Sequence, residues 1–196
     1  EHGYGLETFI DIRKNQFNLH LALFRNEIYG FTFPENSGRE SLRRADLILY
    51  QYAEEHVIFR GFESSGDYLF LDHYLLEGNI SYVKGTLVNE DEPLPEIPPL
   101  QWNLGIRYAK GAFSVGIKTK GAAEQDELGQ NENLKFISDY TPGSEVIAPD
   151  VVISGNVYRQ TPTESYTIFN LESEYFFNTE HFLHTFTFGI ENIFDS

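Results

Sequence analysis

The stretch that decides the fold is Leu94-Pro95-Glu96-Ile97-Pro98-Pro99-Leu100, which runs directly into Gln101-Trp102-Asn103-Leu104-Gly105-Ile106-Arg107-Tyr108. Each proline fixes φ and removes a backbone donor, so neither a helix nor a central strand can contain these positions. Beyond them, Leu100, Trp102, Leu104, Ile106 and Tyr108 alternate with Gln101, Asn103, Gly105 and Arg107. That period of two puts every large apolar side chain on one face of a strand. A rigid loop therefore feeds an amphipathic strand.

The same alternation recurs along the chain. Residues 4–13 set Leu6, Thr8, Ile10 and Ile12 against Glu7, Phe9, Asp11 and Arg13, and after a break at 14–16 a second strand covers 17–29. A third runs over 52–70, and beyond Leu71-Asp72 a fourth sets Tyr74, Leu76, Ile80 and Tyr82 against Glu77, Asn79 and Ser81. The Trp102 strand turns at Lys110-Gly111 into 112–119, and a last hairpin joins 167–177 to 182–190. Eight strands are expected, with long loops near 31–50, 88–99 and 120–165. Because short and long connections alternate, an antiparallel meander collects all tight turns at one end and all long loops at the other, as in an outer-membrane barrel. The expected fold class is therefore all-β, an antiparallel up-and-down transmembrane β-barrel, with a soluble lipocalin-like barrel as the alternative.

Period alone does not say which face is inside. Long strands favour a bilayer, since about 9–11 residues cross it at a tilt. So do the ionised groups Glu7, Asp11, Arg13, Glu77, Glu172 and Glu174 on the polar face, which a hydrated lumen accommodates and a small closed core does not. Aromatic residues also gather near strand ends, at Tyr68, Phe70, Tyr74 and Tyr108 and at Tyr175, Phe176 and Phe177. They are 15% of the 196 residues, with 17 Phe and 12 Tyr. The mean hydropathy of -0.35 looks soluble only because polar and apolar residues alternate. A net charge of -16 argues against nucleic acid or anionic lipid headgroups as partners, because phosphate binding needs a basic surface. Cysteine is absent, which excludes disulfides and thiolate metal sites, and the absence of methionine is read as the mark of a processed chain or a fragment.

Four segments carry a family resemblance. The 94–100 stretch resembles the "LPxIPP" signature of TonB-dependent outer-membrane receptors, and Gly189-Ile190-Glu191-Asn192-Ile193-Phe194-Asp195 resembles their "GxxNLFD" motif. Gly61-Phe62-Glu63 is similar to the family's "GxE" strand and residues 78–85 to its "GNxSYVKG" strand. The resemblance implies a barrel of about 22 strands, of which residues 1–196 would be a late part, without the plug domain and the final strand. It also implies import of a scarce nutrient, a metal ion or metal chelate, with energy from the TonB system acting through the absent plug. Expected partners are outer-membrane lipid and a small nutrient ligand; the alternative is a small passive or structural barrel.

No catalytic constellation and no cofactor site is evident, so no enzymatic activity is expected. Candidate ligand contacts lie in the outer loops. Arg39, Arg43 and Arg44 could steer an anionic chelate, with a solvated loop face as the plainer reading. The acids of 120–165, among them Asp126, Glu127 and Asp139, would favour a cation. Glu54 and His56 are the one carboxylate and imidazole pair whose spacing puts both on the same face of a strand, where a divalent cation could bind.

Overall fold

A computed structural model describes residues 1–41, 44–127 and 162–194, with the backbone alone described over 36–50. Nine strands are present among the described residues: β1 (His2–Lys14), β2 (Phe17–Ser41), β3 (Arg44–Phe70), β4 (Tyr74–Leu87), β5 (Glu92–Pro93), β6 (Gln101–Lys110), β7 (Phe113–Ala122), β8 (Tyr166–Asn178) and β9 (Leu183–Ile190). They form one antiparallel sheet in the order β1-β2-β3-β4-β6-β7-β8-β9, with β5 paired to the far end of β4. The eight expected strands are all there, and the class is all-β.

The faces follow from the register. Asp11 lies opposite His20, which lies opposite Ser65, then Asn79, Asn103 and Lys120, a polar row crossing six strands. A neighbouring row on the same face runs Arg13, Asn18, Asp67, Glu77, Gly105, Lys118, Asn170. Residues of both rows, from Asp11 on β1 to Asn170 on β8, line a single groove, so the sheet curls with this polar face concave. The apolar side chains are left on the convex face: Leu104 is 52% exposed, Ile117 48% and Phe188 60%. A lipocalin-like barrel would bury those residues inside. Here the arrangement is reversed, and the convex face needs an apolar surrounding.

Aromatic rings belt the convex face near the tight turns. Phe17, Tyr68, Phe70, Tyr74 and Tyr108 succeed one another across β2, β3, β4 and β6 with centroids 5.0 to 6.3 Å apart. The turns themselves use left-handed backbone, at Leu71 (φ 51°) and Asp72 (φ 58°) between β3 and β4 and at Gly111 (φ 61°) between β6 and β7.

Two expectations about loops are corrected. Residues 31–50 do not form an aperiodic loop: β2 and β3 continue pairing past Tyr29 as a ribbon, Phe31 with Glu55 and Phe33 with Ala53, out to Ser41 with Arg44. Register shifts after Ile28, Asn36 and Glu40 scramble the apolar alternation, which hides these strands from a period-two reading. The 120–165 connection is also shorter at its base, because β7 runs to Ala122 and Gln125 bridges Thr163.

The proline stretch is packed rather than merely connecting. Leu94 (3% exposed) joins Phe33, Val57 and Leu87 in a small buried cluster flanked by Phe31, Phe59 and Ile97. Its amide donates to the Gly85 carbonyl at 2.9 Å, and Glu96 takes a left-handed φ of 61° that turns the chain between the prolines. Gly85 has to be glycine here, since a Cβ would sit 2.9 Å from that of Leu94. The loop is thereby pinned to the mouth of the concave face, where β6 begins.

Candidate functional site

The concave face is a lattice of paired polar groups. His20 Nδ1 lies 2.8 Å from Asp11 Oδ1, and Asn18 Nδ2 donates to Asp67 at 3.0 Å. Asn103 Nδ2 donates to Asn79 Oδ1 at 2.9 Å, and Lys118 Nζ meets Glu172 Oε2 at 2.9 Å. Such half-exposed pairs each contribute little to stability. Together they make a hydrated surface with both signs of charge. That arrangement can bind or pass a polar solute.

At the long-loop end the mouth is acidic. Burial first, then Glu92, Glu55 and Glu35, raise the Glu90 carboxyl above its ordinary range. Glu55 also accepts a hydrogen bond from Asn89 Nδ2 at 2.6 Å. The 120–165 connection is tied onto the proline stretch, for Gln125 Nε2 donates to the Ile97 carbonyl and Glu127 pairs with Lys84.

The sequence candidates fare differently. Of the acids, Asp126 is exposed beside the Gln125 bridge and Glu127 is engaged by Lys84, whereas Asp139 lies outside the described residues. Arg39 sits on β2 opposite Leu49 and Arg44 opens β3 opposite Ser41, both at the ribbon tip; Arg43 lies outside the described residues. Glu54 and His56 share β3, but His56 Nε2 contacts Glu27 Oε1 at 3.0 Å and its ring stacks on Tyr29 at 4.0 Å. Tyr29 in turn donates to the same Glu27 oxygen at 2.8 Å, and His2 stacks on its other side at 4.9 Å. One Glu27 oxygen thus takes both the Tyr29 hydroxyl and the His56 ring as partners. Among the described residues no group of three or more metal-ligating side chains is assembled. Glu27 was missed in the sequence because it meets His56 only through a register interrupted at Gly30.

A polar concave face, an exposed apolar convex face and an aromatic belt define a β-barrel of the outer-membrane kind, of which this sheet is an arc. The chain belongs to the TonB dependent receptor-like β-barrel family, whose model matches residues 1–193. That family consists of outer-membrane β-barrels. No curated protein matches it in sequence. Among solved structures, the copper transporter OprC superposes with a TM-score of 0.74 at 16% identity, over 99% of this chain and 26% of OprC. The ferric preacinetobactin receptor BauA from Acinetobacter baumannii gives 0.63 at 14%, over 99% and 25%. The ferric-catecholate import receptor Fiu from E. coli K12 gives 0.59 at 18%, over 99% and 23%. At these identities the likeness concerns the fold, and the chain spans about a quarter of each of those proteins.

Proposed function

We propose that residues 1–196 are a late arc of the barrel of an active-transport receptor in the bacterial outer membrane. It captures a scarce nutrient, a metal ion or metal chelate, in its outer loops and imports it with TonB-coupled energy. The observation that carries this reading is the family match over residues 1–193, on a sheet whose polar face is concave and whose apolar face is bare. The copper and ferric-chelate cargoes named for OprC, BauA and Fiu support metal as the cargo class. The acidic mouth around Glu35, Glu55, Glu90 and Glu92 favours a cation or cationic complex over a bare anion.

On this reading the tight turns face the periplasm, while the β2–β3 ribbon, the proline stretch and the 123–165 connection face outward. The test is uptake of labelled copper and of labelled ferric chelates by cells carrying the intact receptor. Loss of TonB should abolish uptake of the cognate cargo. Deletion of residues 128–161, which spares the Gln125–Thr163 bridge, should leave the barrel assembled and weaken uptake. Uptake that persists without TonB would instead favour a passive pore.

A further inference from the structure

The wall of the arc changes its bonding at the proline stretch. β4 pairs β6 only from Tyr74 to Ser81, and above that its Thr86 and Leu87 pair with Pro93 and Glu92 of β5. Pro95, Pro98 and Pro99 have no N–H, so a regular ladder cannot cross the strip they occupy. Backbone bonds flank it, from the Leu94 amide to the Gly85 carbonyl at 2.9 Å on one side and from the Ala123 amide to the Leu100 carbonyl at 2.8 Å on the other. Between them the strip is spanned by side chains. Gln125 donates to the Ile97 carbonyl, and Lys84 reaches over from β4 to Glu127. Lys84 and Gly85 point to opposite faces of β4. The stretch is therefore held from both sides, by Leu94 and Ile97 lying against Gly85 and by the Lys84–Glu127 pair.

Gln125 joins three segments at once. Its backbone exchanges both bonds with Thr163, at 3.0 and 3.2 Å, which closes the two limbs of the β7–β8 connection on each other. Its side-chain Oε1 accepts from the Glu127 amide at 3.0 Å while Nε2 serves Ile97. One partner is a donor and the other an acceptor, so a side-chain amide of this length and orientation satisfies both. The bridge shortens the free connection only from 123–165 to 126–162, which changes the chance of loop closure by a factor of about 1.3. Loop entropy is thus a minor part of what Gln125 does. Direction is the larger part, because the tie sets the two limbs against β4 at the mouth of the concave face.

We propose that Gln125 is a positioning residue for cargo capture, the tie that fixes the base of the β7–β8 connection to the proline stretch and so to β4. The proposal rests on the reading of this arc as part of an import receptor that captures metal in its outer loops. With the tie in place the limb is aimed before cargo arrives, and little freedom is left to lose on binding. Without it the limb is free to pivot beyond Ala123, and capture has to order it first.

The test is made on the intact receptor. In hydrogen exchange on the purified protein, Gln125→Ala should speed the amides of 123–127 and of Thr163 about 25-fold, two hydrogen bonds at a factor of about five each. The Leu94 amide, held by its own cluster, should stay protected. In cells, uptake of labelled copper(II) and of a labelled ferric tricatecholate is followed against concentration. For whichever probe the wild type imports, Gln125→Ala should raise the half-saturating concentration about tenfold, within the limit that the 25-fold shift sets, and leave maximal uptake unchanged. Lys84→Met, which cuts the other tie and leaves every outer-loop residue in place, should move both readouts in the same direction. Ser165→Ala, exposed on the returning limb, should move neither. Unchanged exchange over 123–127 in Gln125→Ala would overturn the tie itself. Faster exchange with an unchanged half-saturating concentration would overturn its role in capture, as would a fall in maximal uptake alone, which marks a defect of assembly or passage. Uptake of neither probe by the wild type would sink the metal-import reading and the capture role with it, while the exchange result still decides whether the tie exists.

Discussion

Replacing Leu94 by alanine isolates what the proline stretch does. The side chain is 3% exposed and packed among Phe33, Val57 and Leu87, so the change removes three buried carbons, worth about 2.4 kcal/mol by transfer. Incomplete collapse of the hole adds to that, for a total of about 3 kcal/mol. The loss falls on the local anchoring of residues 88–100 and not on the whole ladder, because β4 pairs β6 only as far as Ser81 with Gln101. Amides that open locally, such as Leu94 on the Gly85 carbonyl and Val88 on the His56 carbonyl, should then exchange about a hundredfold faster. Hydrogen exchange read by mass spectrometry on the intact receptor reports this peptide by peptide. Peptides from β6 and β7 should be unchanged, and Leu104→Ala on the convex face should leave 88–100 protected. If Leu94→Ala did not speed exchange over 88–100, the loop would not be held by this cluster, and the account of a pinned mouth would be wrong.

Glu90→Gln removes a carboxyl whose protonation is favoured by burial and by Glu92, Glu55 and Glu35. A raised pKa means the native loop is most stable below the ordinary value near 4.5 and loses stability as pH rises through the folded value. The variant should therefore slow exchange over 88–93 at neutral pH and have no effect in acid; faster exchange at neutral pH would contradict the sign. Gly61→Ala places a Cβ 2.7 Å from Phe24 Cζ and closer still to the Tyr82 carbonyl, whereas at Gly189 the nearest atom is 3.8 Å away. Overpacking of this kind costs about 1–3 kcal/mol. Gly61→Ala should lower the thermal midpoint of the barrel in detergent and Gly189→Ala should not; equal midpoints would remove the steric account of the Gly61-Phe62-Glu63 motif.

What could be read in the sequence was whatever the period of two controls. Leu104, Ile106, Val115 and Ile117 declare one face of β6 and β7, and the structure places them together on the convex side through direct pairs such as Ile106 with Ile117 and Tyr108 with Val115. The motif ends were legible too. The Asn192 amide donates to Asn170 Oδ1 at 2.9 Å and the Phe194 ring packs 5.3 Å from Phe169, which seats the C-terminal motif on β8. The ribbon beyond Tyr29 was not legible. Gly30 (φ 70°) and the later register shifts break the alternation, and Pro34, Asn36 and Gly38 read as loop residues although backbone pairing carries the ladder past them. The contact between Glu27 and His56 was equally hidden, since it exists only once the strands are aligned.

The central claim is that the apolar face of this arc meets lipid and the polar face meets water. Residues 1–196 contain no cysteine, so a cysteine introduced here is the single thiol of this arc. Leu104 is 52% exposed on the convex face, and its neighbour Asn103 is hydrogen-bonded to Asn79 across the concave one. In the intact receptor in membranes, a lipid-phase probe should label a cysteine at Leu104 and not one at Asn103, and a water-soluble reagent should do the opposite. Labelling of Asn103 from the lipid phase, with Leu104 protected, would mean that the apolar face is the interior, and the account would fail.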